Sequence, residues 1–216
     1  MSGTRGRRRH SDDYVRVSRV ERVEAMRLRL LDATLWCIAD KGYAATSTND
    51  VVRRAGVSRG ALAHHFPTKA ALVNAAASQL VAHRAVYFQE RLASLTPEER
   101  TPAAALEILW SLYEEPECRA LTELSIAARH DAELRALMRS WDDTYLEVLL
   151  TASTEFFPEL AAKPDAALLL RSVTALYDGL GLYDLTREDA RKKAAEVRGF
   201  FTELLTRREP AIGEHP

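Results

Sequence analysis

Side chains able to donate to a phosphate or carry positive charge towards it are concentrated in one segment: Thr46, Ser47, Ser58, Arg59, His64 and Lys69 all fall within residues 46–69. Hydroxyls, cations and an imidazole held together suit contacts to phosphate oxygens and base edges, the two halves of duplex recognition. Covalent chemistry has less to draw on. The chain has no phosphate-cradling glycine loop and no HExxH pair. His64 and His65 are adjacent, so on a helix their rings point apart, and neither a metal nor a cofactor is expected. Cys37 and Cys118 lie far apart with no thiol at metal or redox spacing, which predicts two reduced, buried side chains. An enzyme is therefore not expected.

Charge is distributed unevenly. The 216 residues hold 30 Lys+Arg and 31 Asp+Glu, a net charge of −1, but residues 1–69 hold 14 basic side chains against 7 acidic, and residues 70–216 hold 16 against 24. One end attracts a polyanion and the other repels it. With 47% hydrophobic residues a core can form without staples. No apolar run approaches the roughly 18 residues of a membrane span, and no apolar stretch follows Arg5, Arg7, Arg8 and Arg9. The expectation is a cytoplasmic chain with no membrane partner.

The elements that position these side chains read as helices. Residues 1–22, rich in arginine, glycine and serine, lack a buriable face and are expected to form a basic arm, able to enter a minor groove or only to touch phosphate. From about Val23, Leu28, Leu31, Leu35 and Ile38 recur at helical spacing up to the Lys41-Gly42 stop. Short helices are expected over 47–55 and 58–65, and a long one over 69–94. Further runs follow at 102–114, 117–129, 132–157, 165–184 and 187–208, divided by Pro102, Pro116, His130-Asp131, Pro158, Pro164 and Thr186. The fold class is all-α, with about nine helices.

Residues 46–66 carry the local logic of a helix-turn-helix. Either Ser47 or Thr46 can cap the first short helix, with Asp50 placed to complete a reciprocal cap. Gly56 permits a left-handed corner residue, and Val57 plugs the corner. Ser58 caps the second helix, whose Arg59, Gly60 and Ala61 face outward while Leu62 and Phe66, four apart, turn inward. Such a helix offers its N-terminal end to base edges.

The run A55-G56-V57-S58-R59-G60-A61-L62-A63-H64-H65-F66-P67-T68-K69, with G42-Y43-A44-A45-T46-S47 before it, resembles the TetR-type bacterial repressors over about residues 25–75. The resemblance implies a homodimeric regulator with a DNA-binding domain at 23–69 and a ligand-binding and dimerisation domain at 70–216. Its partners would be a double-stranded DNA operator, a small-molecule effector and a second copy of itself. It also implies that Arg59, Gly60, Ala61 and His64 lie at or near base edges, that Thr46, Ser47 and Lys69 touch phosphate, and that His65 and Phe66 anchor the recognition helix. Two positions depart from the family, which often has threonine at Ala61 and usually a backbone-contacting tyrosine at Ala63. A helical ligand-binding or scaffolding dimer with a degenerate helix-turn-helix is the alternative.

Aromatics in the C-terminal part suggest a pocket. Trp110 with Tyr113, and Trp141 with Tyr145, sit at same-face spacing, Tyr177 lies on a further helix, and Phe156 and Phe157 follow one another. Glu123, Arg129, His130 and Asp142 are candidate polar contacts for a mostly apolar effector. Each ring could equally fill the core. The last two runs carry more apolar surface than an outer edge needs, so Leu169, Val173, Leu176, Leu180, Val197, Phe201 and Leu204 are expected at a dimer interface, where Gly179 and Gly181 would let helices approach closely.

Overall fold

The apolar spacing translates directly into helices. The structure, a computed structural model, describes residues 19–186 and 188–206, and no strand occurs among them. The order is α1 (Arg19–Lys41), α2 (Thr48–Ala55), α3 (Arg59–His65), α4 (Lys69–Ala93), α5 (Pro102–Ser111), α6 (Cys118–Ala127), α7 (Ala132–Phe156), α8 (Pro158–Ala161), α9 (Ala166–Thr186) and α10 (Ala190–Thr206). Against the nine runs expected, the addition is α8, a single turn with Pro158 at its first position, where a missing N–H costs nothing.

The breaks fall where capping chemistry puts them. Thr101 accepts from the Ala104 N–H with Pro102 behind it, and Asp131 accepts from the Leu134 N–H. Gly42 ends α1 at a φ of 78°. In α1 the inward stripe is Leu30, Leu31, Thr34, Leu35, Cys37 and Ile38; Leu28, expected in it, is exposed instead, because the stripe drifts around the helix. Residues 19–22, expected in the arm, are the first turn of α1. The arginines at 5, 7, 8 and 9, and the end of the last run at 207–208, lie outside the described residues.

α1 packs on α2, α4 and α6; α4 continues onto α5 and α7; α7 packs on α6, α8 and α9; α9 and α10 pair, and α10 also rests on α5. One core cluster runs from Leu30 to Ala194, so α4 and α6 each join the three N-terminal helices to the rest through close-packed side chains. Cys37 and Cys118 are free and buried. No helix among the described residues is long and apolar enough to cross a membrane.

Candidate nucleic-acid interface and cavity

Ser47 is the cap of α2. Its hydroxyl accepts from the Asp50 N–H at 3.2 Å and the Asp50 carboxylate accepts from the Ser47 N–H at 3.0 Å, a complete reciprocal box. Lys41 donates to the same carboxylate at 2.7 Å and Arg53 pairs with it, so hydrogen bonds from Lys41 and Ser47 hold Asp50 well below the usual carboxylate range. Gly56 takes the left-handed corner at φ 65°. The hydroxyl of Ser58 then accepts from the Ala61 N–H at 3.1 Å and starts α3, with Leu62 and Phe66 buried beneath it.

Gly56-Val57-Ser58-Arg59-Gly60 also has the Gly-x-Ser-x-Gly spacing of a hydrolase nucleophile elbow, which sequence reasoning wrongly took to be absent. Here the segment joins two helices rather than a strand to a helix, and the Ser58 oxygen is engaged as a cap. The spacing therefore serves the corner.

On the outer side, Ser47, Ser58, Arg59, Gly60 and His64 are exposed and Ala61 is half-buried. Arg59 and Lys69 border one shallow depression of about 260 Å³ together with Thr48, Asn49 and Thr68, three residues that sequence reasoning did not single out. Their signal was available, since Thr48 and Asn49 open α2 and Thr68 caps α4 by accepting from the Ala71 N–H. Lys69 is half-buried: its Nζ donates to the Tyr43 carbonyl at 2.6 Å and lies 4.2 Å from the Tyr43 ring centre, and burial lowers its pKa. Thr46, expected at phosphate, turns inward instead. It is 4% exposed, and its hydroxyl donates to the Cys37 and Gly42 carbonyls, where it ties the end of α1 to α2. The His64 and His65 rings stand 5.6 Å apart and edge to face, and no group of three metal-competent side chains occurs among the described residues.

A second concavity of about 940 Å³ lies between α4, α5, α6, α7, α9 and α10. Of the residues named as candidate ligand contacts, Trp110, Tyr113, Arg129, Trp141, Asp142 and Tyr145 border it. Glu123 does not. Its carboxylate sits at the α1 corner, with Oε2 3.0 Å from where a Cβ on Gly42 would be. Tyr177 is not a wall either: it is 1% exposed, its hydroxyl donates to the Leu106 carbonyl at 3.1 Å, and its ring stands edge-on to Trp110 and Tyr113 as core filling. His130 is exposed away from the cavity, and Phe156 and Phe157 pack on the core.

Sequence reasoning missed the two charges at the heart of the cavity, Arg84 from α4 and Asp178 from α9. Arg84 lies over the Tyr113 and Tyr145 rings at 4.5 and 4.9 Å. Asp178 is exposed where it borders the cavity, yet the protein around its carboxyl desolvates it enough to raise its pKa, with Arg84 opposing the shift.

On α9 and α10 the apolar residues divide. Val173 and Leu180, expected at a dimer interface, are buried in the chain's own core, because their faces meet α6 and α7. Leu169, Leu176, Val197 and Phe201 are half-buried, and Leu204 is exposed. Leu168 and Phe200, counted from sequence in the apolar surface of these runs but not among the interface residues, are the most exposed large apolar side chains on α9 and α10 at 67% and 69%.

The comparisons with known proteins agree with this arrangement. Residues 30–76 match the family of bacterial regulatory proteins, tetR family, and residues 96–207 match the tetracyclin repressor-like C-terminal domain. An uncharacterized HTH-type transcriptional regulator of Mycobacterium tuberculosis is 30% identical over 75% of this chain and 84% of its own. The HTH-type transcriptional regulator CymR of Pseudomonas putida is 28% identical over 89% of this chain and 95% of its own. Among solved structures, a transcriptional regulator from Saccharomonospora viridis in complex with choline superposes with a TM-score of 0.64 at 19% identity, covering 86% of this chain and 97% of that one.

Proposed function

The chain belongs to the tetR family of bacterial regulatory proteins, and from that premise we propose that it is a repressor that binds a palindromic operator as a homodimer and is released by a small molecule in the 940 Å³ cavity. As a regulator of this family it is a DNA-binding protein and not an enzyme. The carrying observation is the capped α3, whose first residues Arg59 and Gly60 stand exposed beside the start of α4. Arg59 makes no ion pair or hydrogen bond among the described residues, whereas Arg53 and Arg54 on α2 are tied to Asp50 and Asp40. An uncommitted guanidinium at the N-terminal end of a reading helix suits a guanine edge or a phosphate.

Residues 23–69 would dock on DNA, and residues 70–216 would hold the effector and the twofold contact. α4 would supply the coupling, since Lys69 at its start borders the same depression as Arg59 and Arg84, roughly 22 Å further along, lines the cavity. A ligand that favours one position of α4 changes the separation of the two recognition helices and so operator affinity. The relative with choline bound offers a precedent for a small molecule on this fold.

A footprint on the duplex upstream of its own coding region tests the reading, with protection of a palindrome expected. Arg59→Ala should weaken binding by about 1–3 kcal/mol if it reads a base, with specificity relaxed at one position, or reduce the salt slope by about 1 if it holds a phosphate. Absence of protection, with Arg59→Ala indistinguishable from the parent on any duplex, would leave the scaffolding dimer as the better reading.

A further inference from the structure

Arg84 is a cation whose surroundings do not answer it. The side chain is 4% exposed, and its Nε and Nη2 have no hydrogen-bond partner. These two N–H groups form the side edge of the guanidinium, the edge that grips a carboxylate with two parallel hydrogen bonds. The Tyr145 hydroxyl, whose ring lies under the same guanidinium, is also buried without a partner. The ring faces of Tyr113 and Tyr145 replace part of the lost hydration but leave those donors open.

None of the nearby acids neutralises the group. Burial pushes Tyr145 up to about 12 and Cys118 up to about 11, so both are uncharged at physiological pH, and the Cys118 Sγ is already engaged with the Leu112 carbonyl at 2.7 Å. Asp178 acts on Arg84 from within the cavity, but no carboxylate lies within ion-pair distance of it among the described residues. A buried cation with unmet donors is costly unless something completes it, and the cavity it borders is where such a group would enter.

We infer that the cavity selects a small apolar or aromatic monocarboxylate, held by its carboxylate on Arg84, whose Nε–Nη2 edge is closed off in this structure together with the Tyr145 hydroxyl and turns to the cavity as the ligand enters. Trp110, Trp141, Leu121, Ile126 and Met138 line the space for the apolar body. One guanidinium edge matches one planar anion. The acids on the walls and the arginines other than Arg84 are equal in number, so the preference for a monoanion rests on that one edge. The inference rests on the effector reading of this cavity and adds the charge of the ligand. It also gives the ligand a direct hold on α4, the helix that begins at the DNA side.

The test uses the full chain and a panel of benzoate, 2-naphthoate and octanoate, each beside its primary amide, with 2-naphthyl phosphate as the dianion, followed by calorimetry. At least one acid should bind roughly 10- to 100-fold more tightly than its amide. In Arg84→Met the acid and amide should bind alike, and the variant should melt no lower than the parent, because removing an unanswered buried charge does not destabilise. The inference is overturned if no acid on the panel binds, if acids bind no better than amides, if the phosphate binds best, or if Arg84→Met keeps the preference. It is overturned too if Arg84→Met and Arg84→Gln both fail to fold, which would make the guanidinium structural. Gel shifts run in parallel separate this inference from the effector reading. Acids that bind without altering DNA affinity would remove the effector reading alone, and amides that release DNA as well as acids do would remove this inference alone.

Discussion

At the residue scale, the reading head depends on caps more than on contacts. Ser58 holds the N–H of Ala61 in the first turn of α3, so Ser58→Ala should cost about 1 kcal/mol in urea unfolding and weaken DNA binding by fraying the turn that carries Arg59; unchanged stability would mean that water caps the helix equally well. Asp50 makes a pH-dependent contribution with a definite sign. Its folded pKa lies below the unfolded value of 3.8, so its stabilisation is present above that pH and is lost as pH falls through and below it. Asp50→Asn should therefore lower the melting temperature at neutral pH and flatten its decline below about pH 4, as thermal melts across pH would show. These positions were legible because capping is local chemistry confined to a few residues. Thr46 was not, since a threonine beside a cap serves a phosphate or a neighbouring carbonyl equally well, and only the fold shows its hydroxyl meeting Cys37. Arg84 was illegible for a related reason: in sequence it is one cation in a long helix, and its meaning comes from rings 29 and 61 positions away.

At the element scale, helix periodicity carried well, and the errors lie in which face goes where. The nine runs and their proline and glycine breaks are found in the structure. α8 escaped because one turn has no period. The cavity was read only in part, because Trp110 and Tyr113 stack with nearly parallel rings while Tyr177 stands across both, and nothing in the spacing distinguishes a wall from a core filler. α6 emerges as a second link besides α4. It borders the cavity through Cys118, Thr122 and Ser125 and packs on α1, where Glu123 meets Gly42. Gly42→Ala examines that joint. The positive φ strains any Cβ, and the new atom would lie 3.0 Å from the Glu123 Oε2, the movable end of a flexible side chain. The expected cost is about 1–2 kcal/mol, nearly all of it backbone strain. Glu123→Ala in the same chain should recover little of it. A full recovery in chemical denaturation would show that the carboxylate is fixed, and α6 would then couple rigidly to the reading head.

At the scale of the whole molecule, the proposed homodimer is what would tie the positive N-terminal third to the exposed apolar face of the last two helices. A single three-helix head contacts one half-site, and its phosphate contacts alone give weak, salt-sensitive binding. Joining two heads makes the second contact intramolecular. The surface available for joining them is specific: Leu168 on α9, and Phe200 and Leu204 four apart on α10, are exposed and lie outside the cavity lining. Phe200→Glu combined with Leu168→Glu should therefore yield a monomer by analytical ultracentrifugation, with helical circular dichroism retained and operator affinity reduced about 100-fold or more. Val173→Glu should behave differently, because Val173 is 2% exposed and packs inside its own chain. A buried, unpaired carboxylate there should unfold the protein rather than dissociate it, at a cost of several kcal/mol. If the double variant stayed dimeric, the twofold contact would have to lie on another face. If it became monomeric with operator affinity intact, each head would act alone, and the palindrome would lose its physical basis.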